Sequence, residues 1–586
     1  MTSATTPTAS DQVAGIAALA AVAAAPMLLA GCGLLGEEDG GDGRPPIPPL
    51  PPALVITSIT VSATTDNPAT ITIDGVADAD GAADTTGSAT FVLDGAAGTV
   101  RAADAASGLA SATHRFAIAA SAGMESAAAI CDVVFDPAPE QAIALGGAAI
   151  PRIRHLFQRT CFGTRIADLL RWTNVPYATM VDRLLTEADP AATAPAPGWI
   201  DEPVMTWQEV DALSPADRDA LDKRIGDRLT AIYAWWWHEL IAGRQPLLER
   251  MALFWSNHFV TNAGEVFKPQ ATWRYLDTLR RHALGNFRDL LRAIARDAAM
   301  VSFLDSNSNV KGKPNENFAR ELLELFTLGE GQGYTEQDVV EVARCFTGWG
   351  LSPRCTFEFH GTKHDTTAKT VLGATIVNPV DQGMQDGEDV LARVLALPRS
   401  AVFICEKLWD EFVGGPRDAT VIGAWATTFR SSGYEIKPLM AAVLTSLEFT
   451  AAASRGAMVR SPVELHAGLW RSLELEPKDY GGLHWLAGQE DQALLNPPNV
   501  KGWVGGTTWI DAKTLLERRK HLSWMGWDLH NDGRQRVPQR LDAVLTDMLF
   551  AAPPYDAAAL AVPPTHWDPR GEYIRRLLMD PALHVR

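Results

Sequence analysis

The chain is predicted to be mainly α-helical. A large multi-helix body over residues 150–586 follows a small β-sandwich of immunoglobulin-like type over 53–140 and a disordered N-terminal tether. Three observations carry this prediction. The first 150 residues hold no Lys and three Arg against sixteen acidic residues, so −13 of the net charge of −19 lies there, and a charge shift of that size marks a change of domain. All 18 Trp lie at or beyond Trp172, as expected where large aromatic side chains are buried only in the later part. Beyond residue 150, apolar residues recur at helical spacing between helix start and stop signals, whereas before it short β-prone runs alternate with turn residues.

The N-terminal element comes first. Residues 13–29 carry no charge and lead into Leu29-Ala30-Gly31-Cys32. An apolar run before a small-residue cleavage site is a targeting segment and not part of a fold. It resembles a bacterial lipoprotein signal peptide, which implies removal of 1–31 and lipidation of Cys32 as the first mature residue. Residues 1–11 lack the Lys or Arg usual at such a start. The alternative is an uncleaved anchor helix, because about 17–19 apolar residues just reach spanning length. Both readings tether the bulk of the chain outside the cytoplasm, in the cell envelope. Residues 32–52 contain Pro45, Pro46, Pro48, Pro49, Pro51 and Pro52, a composition that favours extended polyproline II and serves as a spacer.

The β unit rests on runs at 54–61, 69–73, 89–93, 115–119 and 130–135. Between them stand turn clusters such as Asp66-Asn67-Pro68 and Asp94-Gly95. Several short strands at this spacing predict a sandwich. Its acidic loops read as a solvated face in preference to a calcium site.

In the body, Ser214-Pro215 offers an N-cap with proline at the first helical position, opening a helix to about residue 242. Thr335 and Asp338 have capping-box spacing, Val339, Val342, Ala343 and Phe346 follow at helical spacing, and Gly348 supplies the stop. Further helices are predicted at 245–262, 269–283, 286–303, 315–328, 399–413, 436–447 and 511–522.

Composition excludes some functions. A net charge of −19 argues against a surface that gathers phosphates, so nucleic acid is not an expected partner. Long apolar runs are too few for a polytopic membrane protein. The sequence contains no Walker loop, HExxH, GxSxG or CxxC pair. With Cys32 lipidated, Cys131, Cys161, Cys345, Cys355 and Cys405 form an odd set. Cys345 and Cys355 are the candidates for a local disulfide, against buried free thiols as the alternative.

Several strings form an ordered pattern: Glu249-Arg250-Met251 leading to Phe254-Trp255-Ser256-Asn257-His258-Phe259; Asn315-Glu316-Asn317-Phe318-Ala319-Arg320-Glu321-Leu322; and Phe346-Thr347-Gly348-Trp349. Downstream stand His364-Asp365, Ser461-Pro462-Val463-Glu464, and Asn496-Pro497-Pro498-Asn499-Val500-Lys501-Gly502-Trp503 with Trp509. Together they resemble the bacterial family catalogued as domain of unknown function 1800, over about residues 150–586. The resemblance implies a large exported protein with a sulfatase-like exported protein as partner, and it implies no particular reaction.

Four groups of residues are candidates for chemistry. Asp305, Asn307, Asn309 and Glu316 stand at positions 1, 3, 5 and 12 of a calcium-loop spacing, although Val310 occupies the position that needs glycine. The alternative is a polar loop before a helix. On that helix Glu316, Arg320 and Glu324 stack at i, i+4 and i+8, which an ion-pair ladder explains. The functional alternative turns Glu316, Arg320 and Glu321 inward as catalytic residues beside a divalent metal ion held by His258, His364 and Asp365. Trp503 and Trp509, and the run Trp235-Trp236-Trp237, are candidates for stacking on sugar rings, with burial in the core as the alternative. The expected function is that of an exported, membrane-tethered binding or assembly protein of the cell envelope, acting on an envelope or extracellular polymer. The alternative is a metal-assisted hydrolase of such a polymer.

Overall fold

The computed structural model describes residues 55–62, 70–77, 83–84, 88–93, 113–122, 125–134, 149–172, 175–190, 196–531, 545–561 and 569–586. The signal peptide, Cys32 and the proline-rich spacer lie outside the described residues. Two structural units divide the chain, one comprising Met1–Ile150 with Ala167–Asn174, the other Pro151–Ile166 with Val175–Arg586.

Among its described residues the N-terminal unit has six strands: β1 (Val55–Ser62), β2 (Thr70–Ala77), β3 (Ala83–Asp84), β4 (Ser88–Leu93), β5 (Thr113–Ala122) and β6 (Glu125–Val134). Five of them overlap the five predicted runs, and β3, a two-residue strand, escapes prediction because it is too short to show alternation. They form two small antiparallel sheets in the orders β1-β2-β3 and β4-β5-β6. Ile59 pairs with Ile73 in the first, and Phe116 with Cys131 in the second.

The second unit is helical, as the sequence predicts. Its long helix α1 (Pro215–Ile241) starts at Ser214, whose side chain accepts from the Asp217 amide. Leu229, Ile232, Tyr233, Trp236, Trp237 and Leu240 are buried along one side of it. The tryptophan run therefore belongs to the core: Trp236 and Trp237 are fully buried, and Trp235 lies beneath the Arg280 guanidinium, 4.7 Å from the ring centroid. After α1 come α2 (Pro246–His258), α3 (Pro269–His282) and α4 (Phe287–Ala295), with proline in the first turn of α2 and α3 where no amide is lost. The helix predicted at 286–303 is broken. Asp297 leaves the helical conformation and its carboxylate caps the amides of Ala299 and Met300, starting a separate helix, Ala298–Phe303.

The helix predicted at 315–328 begins as α5 (Asn317–Glu321) and then widens into a π-helical turn at Leu322–Thr327. α6 (Glu336–Cys345) starts with the Thr335–Asp338 capping box. Two small hairpins follow, β7 (Trp349–Leu351) with β8 (Phe357–Phe359), and β9 (Lys369–Val371) with β10 (Ala374–Ile376). Next come α7 (Met384–Ala396) and α8 (Pro398–Leu408), and α8 passes into a second π-helical turn at Trp409–Val413. Such turns insert one residue into a helix and are frequent at functional sites. The elements that complete the site are α9 (Pro462–Ser472), α10 (Tyr480–Gln489) and α11 (Ala512–Asn531).

The disulfide expectation is corrected. Cys345 and Cys355 are both free thiols and both buried. The Cys345 thiol shares its surroundings with Asp386 and Lys369, whereas Cys355 lies beside Ser302 and Lys268. No helix among the described residues is long and apolar enough to cross a membrane.

Candidate functional site

The Asn315–Glu324 face is an ion-pair ladder. Arg320 lies 3.1 Å from Glu316, 3.2 Å from Glu324 and 2.7 Å from Glu336. This guanidinium is engaged by three carboxylates. Upstream, the calcium-loop oxygens are also committed elsewhere. Asn307 Oδ1 accepts from the Leu351 amide at 2.7 Å, and Asn309 Oδ1 accepts from the Asn315 amide at 3.0 Å while its Nδ2 donates to Ala343 O. Asp305 Oδ2 is at most a long acceptor from Asn315, at 3.5 Å. The sequence spacing thus builds a loop cross-braced by asparagines, not a ring of cation ligands.

Glu321 behaves differently from its neighbours. It is half-buried, and burial followed by repulsion from Glu324 pushes its carboxyl up to about 7, with Arg320 and Lys501 opposing. An acid whose folded value is raised favours the protonated folded state. Stability is therefore lost as pH rises from the unfolded value near 4.5 to about 7, and the loss is constant above that. Glu321→Gln is expected to gain in melting temperature relative to the wild type across that window and to hold the gain at pH 8. Melting curves from pH 4 to 8 check this, and a gap that stays constant with pH would contradict it.

The proposed metal ligands do not assemble. His258, at the end of α2, is buried, and its Nε2 donates to Phe326 O in the first π-helical turn at 3.1 Å. Burial, with the Lys407 charge adding to it, lowers this imidazole to about 3, so it is neutral. His364 is buried in a second network, where Nδ1 donates to Thr347 O at 2.7 Å and Nε2 faces Asp386 and the Lys369 ammonium. Lys369 and Asp386 are themselves ion-paired there. Asp365 is held by Arg344 at 2.8 Å. Although burial pushes the Asp365 carboxyl up, hydrogen bonds from Arg344 and Thr367 outweigh it and keep the group ionised well below the usual range. His258 thus serves a network of its own, while His364 and Asp365 share Thr347 and Lys369, and a lysine occupies the face of His364 where a cation would have to sit. The expectation of a His258–His364–Asp365 metal centre is corrected accordingly.

What the structure brings together is a different set. A cavity of about 390 Å³ is lined by residues from the C-terminal half of α2, the second π-helical turn, the start of α9 and the segment 501–509. α2 contributes Arg250, Phe254, Asn257 and His258; the start of α9 contributes Ser461 and Glu464; the segment 501–509 contributes Lys501, Trp503 and Trp509. Three strings far apart in sequence therefore meet in one place. Asn257 holds two of them in register, accepting from the Trp503 amide at 2.7 Å and donating to the Trp503 carbonyl at 3.1 Å. Gly502 is required at this junction. Its φ is +75°, and a Cβ there would stand 2.2 Å from Asn257 Oδ1.

The model of the family described as "Protein of unknown function (DUF1800)" matches residues 155–579. The chain belongs to this family. No curated protein and no solved structure matches it. The cavity of this DUF1800 chain thus lies wholly within the helical unit, and three of the strings that carry the family resemblance contribute to its lining.

Its floor is charged. Arg250, 1% exposed, is ion-paired to both Glu464 and Glu411, and Arg586 reaches the same two carboxylates at 3.1 and 3.6 Å. Burial pushes the Glu464 carboxyl up, but the two guanidiniums outweigh it and hold the group ionised. At the wall, Asp410 pairs with Arg417, and Lys501 with Glu330 at 3.1 Å. Lys407 has no ion pair among the described residues, and burial lowers its ammonium against the opposing pull of Asp410. Trp503 and Trp509 do line the cavity, but at 6% and 7% exposure they form its wall and leave little ring surface open. Lys407 and Glu411 escape prediction because neither stands in a distinctive string.

Elsewhere in this DUF1800 body the described residues hold one group of three metal-ligating side chains in mutual reach, His466, Glu490 and His521, whose ligand atoms all lie within 4.8 Å of one another. None of the three is among the sequence candidates.

Proposed function

We propose that the protein is an exported, lipid-tethered binding or assembly protein of the cell envelope, and that the cavity binds a short segment of an anionic envelope or extracellular polymer. The observation that carries this reading is the convergence of the family strings on one cavity whose other charges are compensated while Lys407 lines it unpaired. A partly desolvated ammonium among fixed ion pairs attracts a carboxylate or sulfate, and a charge-assisted hydrogen bond is worth about 1.5–3 kcal/mol. The overall charge of −19 repels bulk polyanion, so selectivity rests on the local field of the cavity. In this reading the two small sheets form an immunoglobulin-like sandwich that spaces the body from the membrane. The sulfatase-like exported protein implied by the family resemblance is a further partner.

The test has two arms. Titration calorimetry with an oligogalacturonate and its neutral galactose counterpart should show binding of the acidic chain, weakened about tenfold or more by Lys407→Gln. Equal affinity for the neutral chain, or no effect of the substitution, overturns the cavity assignment. In cells, a fatty-acid probe should label the wild type and not Cys32→Ala, and unlabelled wild-type protein would refute the tether.

A further inference from the structure

We propose that His466, Glu490 and His521 form a binding site for a divalent cation of the zinc class, separate from the cavity and independent of the polymer-binding reading. Three helices build it. His466 lies on α9, Glu490 caps the C-terminus of α10, and His521 lies on α11. His466 Nε2 is 2.9 Å and His521 Nδ1 is 2.7 Å from the same oxygen, Glu490 Oε1. All three side chains are buried, at 3%, 0% and 3% exposure.

The chemistry of the donors selects the ion. Two imidazoles and one carboxylate are an N/O set suited to zinc, which takes tetrahedral sites with bonds of about 2.0–2.1 Å. Donor atoms around such an ion stand roughly 3.3 Å apart. The two spacings to Glu490 are therefore about half an ångström tighter, and all three donor atoms lie within 4.8 Å of one another.

The surroundings support a ligand set more than a closed hydrogen-bond triad. In the triad both rings donate to one oxygen, while Glu490 Oε2 and His521 Nε2 are buried with no hydrogen-bond partner. Each of those two atoms faces a charged neighbour in the position an outer support of a metal site takes. Arg518 Nε stands 3.6 Å from Oε2, behind the carboxylate, and Glu517 Oε2 stands 3.9 Å from His521 Nε2. A carboxylate behind a ligating imidazole fixes its tautomer and raises its basicity. The ligands come from three successive helices, so the ion would clamp α9, the end of α10 and α11 together.

The full chain, stripped with a chelator, is titrated with Zn²⁺ against a chromophoric competitor and with Co²⁺ by visible absorption. One equivalent of Zn²⁺, a tetrahedral Co²⁺ spectrum, and loss of both in His466→Ala and His521→Ala are expected, with at least about tenfold weaker binding in the milder variant Glu490→Gln. The near-isosteric variant keeps the test meaningful if the alanine substitutions unfold the protein. No stoichiometric uptake by the wild type, or uptake unchanged in correctly folded Glu490→Gln, overturns the proposal.

Discussion

Arg250→Met is expected to lower the unfolding free energy by about 3–5 kcal/mol, because removing one partner of a buried ion pair leaves the other charge uncompensated. Arg250 is 1% exposed and bridges Glu464 on α9 to Glu411 in the second π-helical turn. Without it Glu464 keeps Arg586, at 3.1 Å, as its ion-pair partner among the described residues, together with the Ser461 amide. Methionine fills similar volume, so the loss reports charge and not packing. Urea unfolding with an unchanged slope checks the value. Arg250→Lys should recover only part of it, because one ammonium cannot span two carboxylates as a planar guanidinium does. A loss below about 1 kcal/mol for Arg250→Met would mean that Arg586 replaces the bridge.

The second large effect sits one residue earlier. Glu249→Gln is expected to cost a similar amount, about 3–5 kcal/mol. Glu249 is fully buried and accepts from Arg280 Nε at 2.9 and 3.0 Å and from Trp236 Nε1 at 3.0 Å. Once neutral, it leaves the buried Arg280 facing only Glu239, 3.7 Å away. The matched control is Glu316→Gln, at a partly exposed rung of the Arg320 ladder. There the expected change is within about 1 kcal/mol and falls with added salt, whereas the Glu249 effect should resist salt. Equal costs at both positions would refute the distinction between buried network and surface ladder.

The helices were legible because their signals are local. Ser214 and Thr335 cap the helices they were predicted to cap, and proline opens α1, α2 and α3. What failed was whatever depends on tertiary bonding. Asp297 was legible only as a polar residue within a helical pattern, yet its capping bonds divide that helix. Both π-helical turns occur in stretches with ordinary helical composition. At the site, the strings containing Arg250, Asn257, Glu464 and Trp503 were visible, but their meeting was not, since Asn257 and Trp503 lie 246 residues apart. His258, His364 and Asp365 stood out because they occur in distinctive strings, although packing commits them to Phe326 O, Thr347 O and Arg344. Glu490 was passed over because it lies 24 residues from His466 and 31 from His521, distances that match no helical repeat.

The π-helical turn at Leu322–Thr327 also constrains the length of the chain there. Its surplus residue sets how far the segment after Glu321 has rotated when Phe326 O reaches His258. Rewinding the same residues as regular α-helix would swing everything that follows by about 100° relative to Arg320 and Glu321. The His258 bond and the Arg320–Glu336 pair could not then both form. Side chains in this turn can be exchanged one at a time, but the contact with His258 holds only while the backbone keeps its wider hydrogen bonding.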